Sequence, residues 1–331
     1  MFYSVEGIRK GIWGLVDYDP DNDDSTEAEV IEDITAHPYT KNDFLNDVYI
    51  SEKEYHTLHS LLTHKKNIIL QGAPGVGKTF AAKRLAYTFM GEKDESRVKT
   101  VQFHQSCSYE DFVEGYRPAE DGGFTLNDGV FKKFCKEAET DSEHSYFFII
   151  DEINRGNLSK IFGELLMLIE ADKRGEGYSA ELVYSGDRFS VPENLYIIGM
   201  MNTADRSLAM IDYALRRRFA FYTMKPAFEN PVFKSQYENV DCKLFHKAVR
   251  AVCELNKTIL EDKTLGKGFE IGHSYFCKSP DEIDDVLVKN IIRYELIPTI
   301  EEYWFDNENK LNGERTKLEA LLTDGEENET V

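Results

Sequence analysis

A chain of 331 residues, 41% hydrophobic and 30% charged, has the balance of an ordinary globular protein of two domains, or of one and an appendage. That excludes disorder throughout, collagen-like repeats and membrane spans, since the longest apolar runs, such as 146–150, fall far short of the ~20 residues a bilayer needs. The net charge of −21 argues against nucleic acid only in bulk: nine of the 60 acids fall in 17–33 and four in 323–331, segments without Lys or Arg, so the rest is mildly acidic.

Residues 1–36 read as an acidic N-terminal segment or linker, poorly ordered, without an apolar run of signal-peptide length. From Tyr39 the pattern becomes regular. Phe44, Leu45, Val48, Tyr49, Tyr55, Leu58, Leu61 and Leu62 mark helical turns leading into a buried strand at 67–70. A helix is predicted over 77–90 and a second strand near 98–103. Segment 115–129, dense in Gly, Asp and Pro, reads as a loop-rich insertion, and 146–150 as a central strand.

Leu158, Ile161, Phe162, Leu165, Leu166 and Ile169 share one face of a single amphipathic helix. Alternation over 181–191 around Ser185-Gly186-Asp187 signals a hairpin, and 195–201 and 219–224 are further strands. Beyond Pro226 the pattern is helical: Phe245, Ala248, Val249, Val252 and Ile259 mark one helix, and 286–304 one or two more, broken at Pro298. This order predicts a three-layer α/β domain over 37–226, a small helical lid over 227–310 and an acidic tail over 311–331. Five cysteines without a CxxC pair point to a reducing, cytoplasmic setting.

The sharpest local signal is Gly72-Ala73-Pro74-Gly75-Val76-Gly77-Lys78-Thr79, which matches GxxxxGK[ST] between a buried strand and a helix. Glycines let backbone N–H groups turn toward a phosphate, and the helix N-terminus adds positive potential. Lys78 is placed to reach the β- and γ-phosphates, and Thr79 to hold Mg²⁺. Asp151 and Glu152 end the apolar strand 146–150, with Asp151 as the second Mg²⁺ contact and Glu152 as the base that polarises the attacking water.

Asn202, at the tip of the strand 195–201, can hydrogen-bond the γ-phosphate or its water, whereas Asp205 fits either that site or a helix cap. Arg216, Arg217 and Arg218 precede a buried strand, where guanidinium groups need phosphate or carboxylate partners. One of them can act on a neighbouring subunit's nucleotide, or all can be salt-bridged within the chain. Thr40-Lys41-Asn42-Asp43 looks like a guanine clamp but precedes the phosphate loop, so it reads as a helix start.

GAPGVGKT, FFIIDEINRG, MNTADRS and IDYALRRRF together resemble the AAA+ modules of the McrB family, nucleotide-hydrolysing subunits of modification-dependent restriction systems. The likeness runs from about Tyr39 to Trp304 and includes the segment 103–118 and GHSYF at 272–276. It implies a AAA+ P-loop NTPase fold and a nucleotide cradle of Gly72, Ala73, Pro74, Gly75, Val76, Gly77, Lys78 and Thr79 with Asp151 and Asp205. It further implies Mg²⁺ on Thr79 and Asp151, and catalysis by Glu152, Asn202 and a trans arginine, Arg217 or Arg218. Members form hexameric rings, use GTP in preference to ATP, and drive DNA translocation for a separate McrC-like endonuclease.

Two other readings stay open. An ATP-driven remodeller of proteins, similar to MoxR-type chaperones, would keep the same catalytic residues. A nucleotide-dependent scaffold would use ring assembly as its output, and the intact Glu152 weighs against it. No modified-base reader is evident in 1–36, and no carboxylate–lysine cluster marks the chain as the cutting subunit.

Overall fold

The computed structural model describes residues 2–4, 13–15, 37–120, 122–204 and 216–323. It divides into two units, 1–36 and 37–331. The first holds an antiparallel strand pair, Phe2–Ser4 with Trp13–Leu15; the rest of the predicted linker lies outside the described residues.

The second unit is built on five parallel strands: β1 (Asn67–Gly72), β2 (Val98–Gln102), β3 (Tyr146–Asp151), β4 (Leu195–Asn202) and β5 (Ala220–Thr223). Their spatial order is β5-β1-β4-β3-β2. Side chains alternate across a strand, so the continuous apolar run of β3 serves two layers. Phe147 and Ile149 pack on one face with Leu58, Leu62, Leu85 and Ile198, while Phe148 and Ile150 pack on the other with Phe112, Phe131 and Phe162. This is the predicted three-layer arrangement.

Helix α1 (Lys41–Val48) starts at Thr40, whose hydroxyl and the Asp43 carboxylate form a capping box. The clamp-like tetrapeptide is therefore a helix start, as its position implied. Helix α2 (Glu52–Lys65) follows, and α3 (Lys78–Met90) rises directly from the Gly-rich turn after β1. Past Met224 the chain is helical, and Phe245, Val252, Ile271, Phe276, Ile292 and Trp304 form a separate core.

Four expectations are corrected. Segment 115–129 is a hairpin, Glu114–Pro118 against Phe124–Asp128, turning through Gly122 and Gly123 at φ 87° and 92°. The single helix expected over 158–169 is two, Leu158–Phe162 and Leu165–Leu168. Gly163 breaks it at φ 52°, where a side chain would come within 2.9 Å of the Tyr109 ring. The break expected at Pro298 does not occur: the backbone stays helical from Asp285 to Tyr303, and Pro298 follows a π-helical turn, Ile292–Leu296, that loosens the hydrogen-bond ladder ahead of it. The chain from 311 is no tail as far as Thr323, because helix Glu308–Thr323 buries Leu318 and Lys310 binds Asp262 at 2.7 Å. Residues 324–331 lie outside the described residues.

Candidate functional site: a phosphate loop joined to a strand-end carboxylate

The ends of β1, β4 and β3 lie side by side, with Asn202 in register with Gly72 and Gly199 with Ile150. In open parallel sheets, ligands bind at these carboxyl ends. The loop after β1 depends on its glycines. Gly75 and Gly77 take φ 75° and 79°, a region costly for other residues. A side chain on Gly72 would fall 2.6 Å from the Met224 carbonyl oxygen. Gly77 caps α3 without a side-chain hydrogen bond, which leaves the first-turn N–H groups for an anion.

Buried Lys78 folds back over this loop. Its Nζ donates to the carbonyls of Gly72 at 3.0 Å and Ala73 at 2.9 Å, and to Asn202 Oδ1 at 2.6 Å. Asn202 uses its other end on Glu152, Nδ2 donating to Oε1 at 2.6 Å. One carboxamide thus joins the loop lysine to the strand-end glutamate. Glu152 is in the left-handed region, φ 49° and ψ 44°, a conformation that costs a non-glycine residue on the order of 1–3 kcal/mol and clusters at functional sites. Arg155 Nε lies 3.1 Å from its Oε2. Asp151 Oδ1 accepts from the Glu152 N–H at 2.9 Å, and Thr79 is exposed in the first turn of α3. Asp205 lies outside the described residues.

The lid rests on the loop. The N–H groups of Gly272 and Ser274 donate to the carbonyls of Pro74 and Gly75 at 3.2 and 2.9 Å. Gly272 is required, since a side chain there would overlap the Gly75 carbonyl carbon at 1.9 Å. His273 is buried, and its Nδ1 accepts from the Ala227 N–H at 3.1 Å, so its hydrogen is on Nε2. Burial lowers its pKa to about 4. The sequence showed GHSYF only as part of a resemblance; the close approach of two glycines, 75 and 272, gives it a physical role.

Beside Gly77 opens a cavity of about 490 Å³, walled by Asp47, Tyr49, Val76, Phe80 and His273, a size that suits a small organic ligand. Sequence reading missed its α1 side. The one backbone signal is Tyr49, at φ 51° just past α1.

The three arginines differ sharply. Arg216 is exposed. The Arg217 side chain is 65% exposed and that of Arg218 only 8%, yet both reach Glu170 Oε1, at 3.0 and 3.1 Å. None of the three belongs to the Lys78–Asn202–Glu152 cluster within this chain.

A family model described as AAA domain (dynein-related subfamily) matches residues 67–219, and one described as McrB, alpha-helical lid domain matches 247–312. The chain is 52% identical over 291 residues to the Type IV methyl-directed restriction enzyme EcoKMcrB subunit of Escherichia coli K12, covering 85% of this chain and 63% of that protein. It is 23% identical over 275 residues to the Type II restriction enzyme BsuMI component YdiS of Bacillus subtilis 168, covering 70% of this chain and 78% of the other. This chain therefore spans less than two thirds of the E. coli relative's length. A solved putative ATPase from Cytophaga hutchinsonii aligns over 66% of this chain and 67% of its own at 15% identity, with a TM-score of 0.36, too low to add to the fold assignment.

Proposed function

This chain belongs to the McrB-type AAA+ proteins, with their AAA domain and helical lid, and from that premise we propose that it is the GTP-hydrolysing motor subunit of a modification-dependent DNA restriction system. In this reading it works as a hexameric ring, passes DNA for a McrC-like endonuclease, and does not itself cut. The observation that carries the reading is the Lys78–Asn202–Glu152 junction, in which one amide joins the loop lysine to the strand-end carboxylate, the pair this reading assigns to phosphate binding and water activation.

The donor set suits Mg²⁺, a hard cation that takes oxygen ligands and commonly shares one or two protein groups with phosphates and water. Exposed Thr79 and the Asp151 carboxylate are oxygen donors at the loop and at the strand end. Among the described residues no cluster of three His, Cys, Asp or Glu side chains suits a metal by itself. Thr79 and Asp151 would hold the ion, which when bound neutralises phosphate charge.

The chain's own residues divide the remaining work. Backbone N–H groups of 72–79, Pro74 apart, cradle the phosphates, and Lys78 exchanges the Gly72 and Ala73 carbonyls for phosphate oxygens. Glu152 accepts a proton from the attacking water while Asn202 orients it. Arg217 or Arg218 stabilises the charge developing on a neighbouring subunit's nucleotide. GTP, rather than ATP, is what the McrB likeness implies.

The ring and its partner are tested with the Glu152→Gln protein, which should bind GTP without turning it over. Sedimentation with GTP, Mg²⁺ and a McrC-like endonuclease is expected to give a six-subunit species that carries the nuclease. A chain that stays monomeric and ignores the nuclease would overturn this part of the proposal.

A further inference from the structure

Glu170 is the point where the exposed and the buried arginine meet. Its Oε1 takes Arg217 and Arg218, and its Oε2 takes Lys173 Nζ at 3.0 Å. Burial alone would raise the pKa of this carboxyl, but Lys173 and the two arginines outweigh it and hold the group below the ordinary carboxylate range. Glu170 is thus a charged hub.

Its backbone is fixed to that of the arginines. Asn67, at the start of β1, donates from Nδ2 both to the Ile169 carbonyl at 2.7 Å and to the Arg218 carbonyl at 3.1 Å. Buried Arg174 holds Asn67 Oδ1 at 2.7 Å and the Ile169 carbonyl at 2.9 Å. Lys65 Nζ donates to the Arg217 carbonyl at 2.8 Å. The residue before Glu170 and the arginine pair are pinned to one strand end, so their mutual geometry is set by the core.

The two ion pairs are not equivalent. An exposed pair such as Arg217–Glu170 contributes little and yields readily to a competing anion. A buried pair such as Arg218–Glu170 is costly to break, because separation strands a charge out of water. A notch of about 280 Å³ beside them, between His64, Lys65 and Asp172, gives Arg217 room to move.

We infer that Glu170 is the positioning residue of the trans-acting arginine: it anchors Arg218 in the wall of the domain and parks Arg217 on the surface, ready for a neighbouring subunit's triphosphate. The inference rests on the ring-forming NTPase reading above. It settles which arginine reaches out, and it adds a carboxylate 47 residues upstream of Arg217 to the hydrolytic apparatus.

The test uses full-length Glu170→Gln, Arg217→Ala and Arg218→Ala proteins, each alone and each mixed with Glu152→Gln subunits, whose arginines are intact. Arg217→Ala is expected to lose on the order of a thousandfold in kcat. Glu170→Gln is expected to lose roughly tenfold in kcat at unchanged KM, the mark of a misplaced group that acts after binding. Both should regain turnover on mixing, because their own Lys78–Asn202–Glu152 sites are whole; a merely misfolded subunit would not.

A Glu170→Gln protein with wild-type kcat, or one whose loss mixing does not relieve, overturns the inference while leaving an impaired and rescued Arg217→Ala consistent with a trans arginine. An Arg217→Ala protein with wild-type kcat overturns the trans role of Arg217 and the Glu170 inference with it. Arg218→Ala, which takes from Glu170 its one buried partner and leaves it Lys173 and Arg217, is expected to lower the unfolding temperature; one as stable and active as wild type would contradict the anchoring role.

Discussion

Asn202 donates to Glu152 at 2.6 Å across the tips of two neighbouring strands. The same amide's oxygen holds Lys78 at 2.6 Å, so both hydrogen-bonding ends of one side chain are committed to the proposed catalytic groups. Replacing Asn202 by Ala removes both at once. We expect kcat to fall on the order of a hundredfold, the usual cost of one positioned donor, with KM little changed. Steady-state kinetics decide this, and a rise in KM at constant kcat would instead make Asn202 a binding group.

Glu152 stores backbone strain that a glycine would relieve. Its left-handed conformation costs about 1–3 kcal/mol, and a glycine gives back about 0.4–1 kcal/mol through the unfolded chain. With two side-chain contacts also lost, Glu152→Gly should unfold within about 2 °C of wild type while abolishing hydrolysis. Calorimetry and turnover on the same sample check the pair of effects. A drop of many degrees would show that Glu152 stabilises the fold.

Buried His273 makes the docked lid sensitive to acid. Its folded pKa of about 4 lies below the ordinary histidine value of 6.5, so the unfolded chain takes up a proton that the native one refuses. Stability from this group is present above about pH 6.5 and is lost as pH falls toward 4, by up to about 3 kcal/mol. His273→Asn, which can keep an acceptor for the Ala227 N–H, should flatten that dependence. Denaturant midpoints between pH 4 and 7 measure it, and parallel curves for the two proteins would contradict it.

Glu114 ties its own hairpin to a second one, in which Ala180–Glu181 pairs with Arg188–Phe189. Fully buried, it holds Lys132 Nζ at 2.7 Å with one oxygen and, with the other, the N–H groups of Tyr184 and Ser185 at 3.1 and 2.8 Å. Lys132→Met would leave that carboxylate buried with its amide donors and without its lysine, at a cost of about 3–5 kcal/mol. A double variant with Glu114→Gln should recover part of the loss. If the two losses simply add, the pair is not coupled.

Much of this site is legible in the sequence because its signals are local. The phosphate loop, the Asp-Glu at a strand end and the Asn at another each sit within a few residues of an apolar run. Their union is not local: Lys78, Glu152 and Asn202 meet only because β4 lies between β1 and β3. The arginines show the limit most clearly, since Arg217 and Arg218 are adjacent and alike in sequence, and Glu170 with the wall around it makes one exposed and one buried. The hairpin at 114–128 was hidden because glycine-rich turns and loops share a composition. Gly163 was hidden because an apolar period continues through a backbone that does not.

The most direct test of the account is hydrolysis of GTP and ATP side by side by the purified chain, with and without Mg²⁺, and with Glu152→Gln as the blank. The account predicts Mg²⁺-dependent hydrolysis that favours GTP and disappears in the variant. Turnover that persists undiminished in Glu152→Gln would contradict it.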